Sequence, residues 1–204
     1  MNAKDKWQTS RQGIKYFYLY NYYPLCLSNF DATEDDWYSR RLVWNFKNDK
    51  NRISPKEHEQ ALNTLVPQIA KVLRMTFGDS LKNITLACVP ASSKQKNQDR
   101  YEEFSRRLCN ETGMQNAFQH IRITRDATPK HQGGNGNPDV AIDNWYFQGR
   151  TVLVFDDVTT TGNSLYKYIT TLEKSGAKSV GGLCIAKTKH ERQDGNPIDD
   201  FYAA

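Results

Sequence analysis

The chain has 204 residues, 28 Lys or Arg against 23 Asp or Glu, a formal charge of +5, and 38% hydrophobic residues. That length suits one domain with elaborations and is enough to bury a sizeable core, while the modest positive charge permits anionic ligands or nucleic acid without demanding either. No apolar run reaches membrane-spanning length and the polar residues 1–6 carry no secretory signal, so a cytoplasmic protein is expected.

Residues 16–23, Tyr-Phe-Tyr-Leu-Tyr-Asn-Tyr-Tyr, hold six aromatics in eight positions and predict a strand with aromatics on both faces. Such a strand serves either as a packed element or subunit contact, or as a stacking surface for a base. The lack of interleaved Lys or Arg speaks against nucleic acid. Residues 31–52 mix acids, Trp37, Trp44 and basic residues, and a short helix is expected over 34–46. Ser54, Pro55 and Glu57 form a helix start, with Ser at the cap, Pro at the first position and Glu three after the cap. Leu62, Leu65, Ile69, Val72 and Leu73 continue it at helical spacing, Pro67 is a candidate kink, and Gly78 a candidate end.

Residues 84–89 read as the first core strand, with residues 90–94, Pro-Ala-Ser-Ser-Lys, as the loop at its end. Tyr101, Phe104 and Leu108 stripe the next helix, which Gly113 follows. Ile121 and Ile123 alternate in a further strand over 118–124. Residues 126–149 include four glycines and two prolines and predict a long mobile loop, a length that usually signals function or disorder. The four cysteines, Cys26, Cys88, Cys109 and Cys184, are far apart, with no Cys-x-x-Cys; Cys88 and Cys184 sit in apolar runs, so buried thiols are expected rather than disulfides or zinc ligands.

The most informative segment is residues 152–164, Val-Leu-Val-Phe-Asp-Asp-Val-Thr-Thr-Thr-Gly-Asn-Ser. A buried strand over 152–155 ends in two acids, then a loop of Thr159, Thr160, Thr161 and Gly162 opens an amphipathic helix carrying Leu165, Ile169 and Leu172. Phosphate needs hydroxyl and backbone N–H donors, and a helix N-terminus supplies the latter with a favourable dipole. Gly162 lets the backbone approach closely. Asp156 and Asp157 would repel phosphate, but suit ribose hydroxyls or a magnesium ion bridging to a sugar phosphate. Gly176 ends the helix, residues 179–186 form the next strand, and the polar tail from Lys187 suits an edge element. There is no Gly-x-x-x-x-Gly-Lys-Ser/Thr and no Gly-x-Gly-x-x-Gly. Strand–helix–strand alternation implies an α/β fold, a mostly parallel central sheet with helices on both faces. Ligands of such sheets bind beyond the carboxyl ends of strands, where residues 90–94 and 156–164 both fall.

This block resembles the 13-residue phosphoribosyl-pyrophosphate (PRPP) motif of type I phosphoribosyltransferases: apolar residues, an acidic pair, an apolar residue, and a threonine- and glycine-rich phosphate loop. The resemblance implies that fold for residues 54–204, with residues 1–53 as an N-terminal, hood-like elaboration. It implies that Asp156 and Asp157 hold the ribose hydroxyls, and that Thr159, Thr160, Thr161, Gly162, Asn163 and Ser164 hold the 5-phosphate. Ala91, Ser92 and Ser93 then match the pyrophosphate loop. Lys94 either neutralises the leaving group or is a solvated surface lysine; Arg125 either reaches the pyrophosphate or ends a strand in water. Lys130 and His131 either close over the pyrophosphate or stay solvated. Mg2+ is the implied cofactor, PRPP and a nitrogenous acceptor the implied substrates, and a homodimer an implied assembly.

The resemblance spans roughly residues 80–190 and is nearest to the ComF-type branch, proteins associated with competence and DNA uptake. The Val89-Pro90 turn, Arg125 and Thr128 fit that branch. Its Arg-Gly-Phe-Asn-Gln signature is absent, the matching region being Asp99-Arg100-Tyr101-Glu102-Glu103-Phe104, Gln132 sits one residue late, and the N-terminal zinc-binding cysteines are missing. Members acting on 6-oxopurines carry an Asp where this chain has Thr160, which argues against hypoxanthine or guanine as acceptor. The implied function is phosphoribosyl transfer to a nitrogen nucleophile with pyrophosphate release; the alternative is a non-catalytic PRPP- or nucleotide-binding regulator, or a partner in DNA uptake.

Overall fold

The computed structural model describes residues 7–25, 32–128 and 136–202. Its main sheet has six strands: β1 (Gln8–Thr9), β2 (Lys15–Tyr22), β3 (Ile84–Cys88), β4 (Gln115–Asn116), β7 (Thr151–Thr159) and β8 (Lys178–Thr188). They lie in the order β1-β2-β8-β7-β3-β4, and every pairing is parallel except β1 with β2. A second sheet is an antiparallel hairpin of β5 (Ile121–Arg125) and β6 (Asp139–Ile142). The long helices are α1 (Glu34–Lys47), α2 (Pro55–Phe77), α3 (Lys94–Thr112) and α5 (Asn163–Lys174); α4 (Asn144–Phe147) and α6 (Asp199–Tyr202) are single turns. The expected α/β class with a mostly parallel sheet is the architecture observed.

β7 shows why the sheet is covered on both sides. Its apolar run has no polar alternation, the mark of a strand buried on both faces. Leu153 and Phe155 enter the core under α1, α2 and α3, while Val152 and Val154 pack with Leu165, Ile169 and Leu172 of α5. Gly182 on β8 lacks a side chain where α5 crosses; a Cβ there would lie 2.9 Å from Leu165. This close approach seats the N-terminal end of α5 on the sheet edge that carries the acids.

The helix starts follow local chemistry. α2 opens with the expected capping box of Ser54 and Glu57 and runs through Pro67. α1 opens with a second capping box, Thr33 with Asp36, and ends one residue later than expected at Lys47, with Asn48 in the left-handed region at φ 53°. The aromatic segment is β2, in register with β8, and Tyr16, Phe17, Tyr18 and Tyr20 are all buried, so it is a packed strand.

Two expectations need correction. Residues 118–120 form a 3-10 turn, and the strand that follows pairs with β6 instead of joining the parallel sheet; the short β4 takes the place beside β3. Residues 126–149 are not one long loop, since they contain β6 and α4. Val140 and Ile142 alternate so as to pair with Ile123 and Ile121, and Phe147 is buried. Glycine and proline content hid that alternation. Lys130 and His131, expected in the mobile part, lie outside the described residues, as does Cys26. The other three cysteines are free thiols, Cys109 and Cys184 buried and Cys88 half-buried.

Candidate functional site

β7 extends four residues beyond the apolar run, so the two acids belong to the strand itself and its alternation sends them to opposite faces. Asp157 points toward α1 and α3. Its Oδ2 accepts a hydrogen bond from Arg100 Nη1 at 2.5 Å, its Oδ1 one from the Val158 N–H at 2.6 Å, and Lys47 Nζ lies 3.9 Å from Oδ1. Asp156 lies on the α5 face, in register with Cys184. Its Oδ1 accepts from the Asp157 N–H at 2.9 Å. Asp156 is 8% exposed and Asp157 6%. Burial, and next the negative charge of Asp157, push the Asp156 carboxyl up to about 7. Burial likewise drives the Cys184 thiol well above its ordinary range, which keeps it protonated.

Lys47 and Arg100 are brought to Asp157 by a bolt between two helices. Past the end of α1, Asn48 Nδ2 donates to the Asp99 carbonyl at 3.0 Å and Lys50 Nζ pairs with Asp99 Oδ1 at 2.6 Å. Asp99 precedes Arg100 on α3, so the contacts that hold the helices together also set the two cations over one carboxylate.

The phosphate-loop candidate follows β7. The Gly162 N–H donates to Thr159 Oγ1 at 3.0 Å, and Gly162 turns through φ 82° to start α5. No side chain caps that start, so the first-turn N–H groups keep their donors. Thr160, Thr161, Asn163 and Ser164 are exposed around it, whereas Thr159 is buried as a shaping residue. Thr160 Oγ1 donates to Thr188 Oγ1 at 3.2 Å. The turn between β1 and β2 forms a wall: Gln12 Nε2 donates to Asn163 Oδ1 at 2.7 Å, and a Cβ at Gly162 would meet Ser10 Cβ at 3.4 Å.

The second loop lies next to the first, because the Val89 N–H donates to the Phe155 carbonyl at 2.8 Å. Ser93 caps α3, its Oγ accepting from the Lys96 N–H at 3.2 Å. The Ala91 N–H donates to Asn97 Oδ1 at 3.0 Å and the Lys94 N–H to Asp126 Oδ1 at 2.9 Å, so these two backbone donors are already engaged. The Ser92 carbonyl accepts from the Ala127 N–H at 2.8 Å, tying the loop to the end of β5. The Lys94 side chain is exposed at the head of α3, beside an open groove of about 420 Å³ lined by Gln98, Phe118, Ile121 and Arg122 among others. Arg125 is held by Asp139 across the hairpin at 2.5 Å.

The structure thus brings residues 90–94 and 156–164 to one edge of the sheet and keeps Arg125 in a surface ion pair. Sequence reasoning missed three contributors: Lys47, Arg100 and Gln12. Only Arg100 carried a signal, since it lies in the stretch that stands where the ComF-type signature is expected. Among the described residues no group of three or more His, Cys, Asp or Glu side chains is arranged to hold a metal ion, and no helix is long and apolar enough to cross a membrane.

Residues 58–202 match the phosphoribosyl transferase domain. The chain belongs to that family. No curated protein matches this phosphoribosyl transferase family member in sequence. Solved structures similar to it include UMP synthase of Leishmania donovani, at 16% identity over 74% of this chain and 31% of that one, TM-score 0.43. A hypoxanthine-guanine-xanthine phosphoribosyltransferase is similar at 15% identity over 77% and 68%, TM-score 0.35. Orotate phosphoribosyltransferase from Aeropyrum pernix is similar at 19% identity over 66% of each chain, TM-score 0.34. The chain therefore spans about a third of the length of the UMP synthase it resembles.

Proposed function

We propose that this chain binds Mg-PRPP at the sheet edge formed by residues 90–94 and 156–164, and transfers its phosphoribosyl group to a nitrogen nucleophile. The observation that carries this reading is the uncapped start of α5 behind the Thr159–Gly162 turn, beside a nearly buried acidic pair. The N–H groups of that start and the hydroxyls of Thr160, Thr161 and Ser164 suit the 5-phosphate. The acids suit the ribose hydroxyls. Magnesium would enter with the substrate: Asp157 has both oxygens hydrogen-bonded by protein groups, whereas Asp156 Oδ2 has no hydrogen bond among the described residues, so Asp156 is the acid that would reach the metal.

In the reaction the acceptor nitrogen attacks the anomeric carbon as its bond to the pyrophosphate oxygen breaks, and the ribose passes through a cationic, oxocarbenium-like state. Magnesium bound to PRPP would supply stabilisation of the charge developing on the departing pyrophosphate. The protein's part is to position the ring, stabilise the leaving group and exclude water. Lys94 stands nearest to the second task by its place in the loop. The β5–β6 hairpin is the proposed cover. Thr160 supplies no carboxylate for proton handling at an oxopurine, so the proposed acceptor is an amine or non-oxopurine base that needs no such base. The ComF-type branch, a cytoplasmic setting and the division of the chain at residue 53 stand as parts of this proposal.

A specific observation favours a second reading, that of a PRPP- or nucleotide-binding regulator or a DNA-uptake partner. The N–H groups of Ala91 and Lys94 are engaged by Asn97 and Asp126, and Arg125 by Asp139, so the leaving group has fewer waiting donors than the 5-phosphate. Of two measurements, the first tests the site and the second separates the readings. In calorimetry, Asp156→Asn combined with Asp157→Asn should greatly weaken Mg-PRPP binding; unchanged affinity in the folded double variant overturns the site. Pyrophosphate release across a panel of nitrogenous acceptors supports the transferase, silence with retained binding supports the regulator, and turnover with guanine refutes the Thr160 reasoning.

A further inference from the structure

We propose that Arg100 is a positioning residue for the acidic pair, clamping Asp157 so that Asp156 alone presents a free carboxylate oxygen to the ribose. The inference rests on the PRPP-binding reading and assigns the two acids unequal parts within it.

The geometry is asymmetric. Both oxygens of Asp157 are engaged, Oδ2 by Arg100 at 2.5 Å and Oδ1 by the Val158 N–H at 2.6 Å with Lys47 at 3.9 Å. Asp156 uses Oδ1 for the Asp157 N–H and has no hydrogen bond to Oδ2 among the described residues. The side chains of Arg100 and Asp157 are only 16% and 8% exposed, so this is a largely buried ion pair rather than a solvated one. A buried pair contributes little net stability, because desolvation of both ions opposes their attraction. The Nε of Arg100 adds to that cost, being buried without a hydrogen-bond partner. What such a pair does provide is a fixed orientation. Arg100 is itself fixed, since the neighbouring Asp99 is tied to the end of α1 by Asn48 and Lys50.

There is also a reason of charge. Two adjacent carboxylates at the edge of a phosphate site repel each other and repel an anionic ligand. Arg100 and Lys47 place two positive charges against the pair from the face of the sheet that α1 and α3 cover. Asp156 then acts as a hydrogen-bond acceptor for a ribose hydroxyl without the pair presenting a net negative field to the phosphates. A lysine at position 100 would keep the charge but lose the planar guanidinium that holds the carboxylate in one orientation.

The test is calorimetric titration with Mg-PRPP of the wild-type chain and of Arg100→Ala, Arg100→Lys, Asp157→Asn and the Arg100→Ala/Asp157→Asn double variant, each checked for folding by near-UV circular dichroism. Arg100→Ala should weaken binding about tenfold or more, the size of effect of one hydrogen bond to a charged group, and Arg100→Lys should fall between it and wild type. Because Arg100 acts through Asp157, Arg100→Ala should cost nothing further once Asp157 is Asn. Wild-type or tighter affinity in folded Arg100→Ala overturns the proposal, as do losses that add in the double variant. If Arg100→Ala does not fold, wild-type affinity in Arg100→Lys overturns it. Wild-type protein that binds no Mg-PRPP overturns the functional reading and this proposal together, whereas binding by wild type that Arg100→Ala leaves unchanged overturns this proposal alone.

Discussion

Replacing Asp156 by Asn should make the ligand-free protein relatively more stable as pH rises. Burial, with the charge of Asp157 as second cause, raises the folded-state pKa of Asp156 from an ordinary 3.8 to about 7. A group raised in this way contributes its full stability only below its unfolded pKa, and that stability is lost as pH rises through the folded value. Between those two values folding must take up a proton, at about 1.4 kcal/mol per pH unit. From pH 5 to pH 8 the wild type should therefore lose about 3 kcal/mol through this one side chain. Asparagine cannot titrate. It keeps an oxygen for the Asp157 N–H, but its amide donors must find partners in a nearly buried place, a pH-independent cost of about 1–3 kcal/mol. Urea unfolding of both proteins at pH 5, 6, 7 and 8 isolates the effect, because the titration of groups remote from Asp156 largely cancels in the difference. The difference should move in favour of the variant by about 3 kcal/mol over that range. A difference that stays flat, or moves in favour of wild type, refutes the reasoning from burial.

Gly162→Ala forces a side chain into the left-handed region at φ 82° and against Ser10, so it should cost about 1–2 kcal/mol and weaken Mg-PRPP binding through the displaced start of α5; an unshifted thermal midpoint together with wild-type affinity would argue against that account of the loop. Phe155→Ala removes a fully buried ring lying 4.4 Å from Phe104 and 5.8 Å from Phe46, measured between centroids, and should destabilise by about 3–5 kcal/mol in denaturant unfolding. A loss below about 1 kcal/mol would mean that the three-helix face collapses to fill the space.

The amino-acid sequence determined those features whose causes are local. A residue at a helix cap meets its partner three positions on, which is why Ser54 and Glu57 announce α2. Strand, acids, threonines and glycine over 152–164 are consecutive, so the strand, the turn at Gly162 and the start of α5 were all legible. Parallel order followed from alternating elements, and with it the placement of two loops on one sheet edge. Tertiary structure alone decided what meets across distance. Arg100 reaches Asp157 over 57 positions in the chain, and Lys47 comes from a different helix; neither contact leaves a periodicity that a sequence window can register. The same reason explains the hairpin: Val140 and Ile142 alternate over only four residues among glycines and prolines, and it takes Ile121 and Ile123 across the strand to make them a sheet. It also explains Gln12, which acquires its place at Asn163 only when β2 pairs with β8 and carries the turn before it to the start of α5. Local rules therefore located the acids and the phosphate loop, while the charges that balance Asp157 and the burial that perturbs Asp156 exist only once the sheet is packed on both faces.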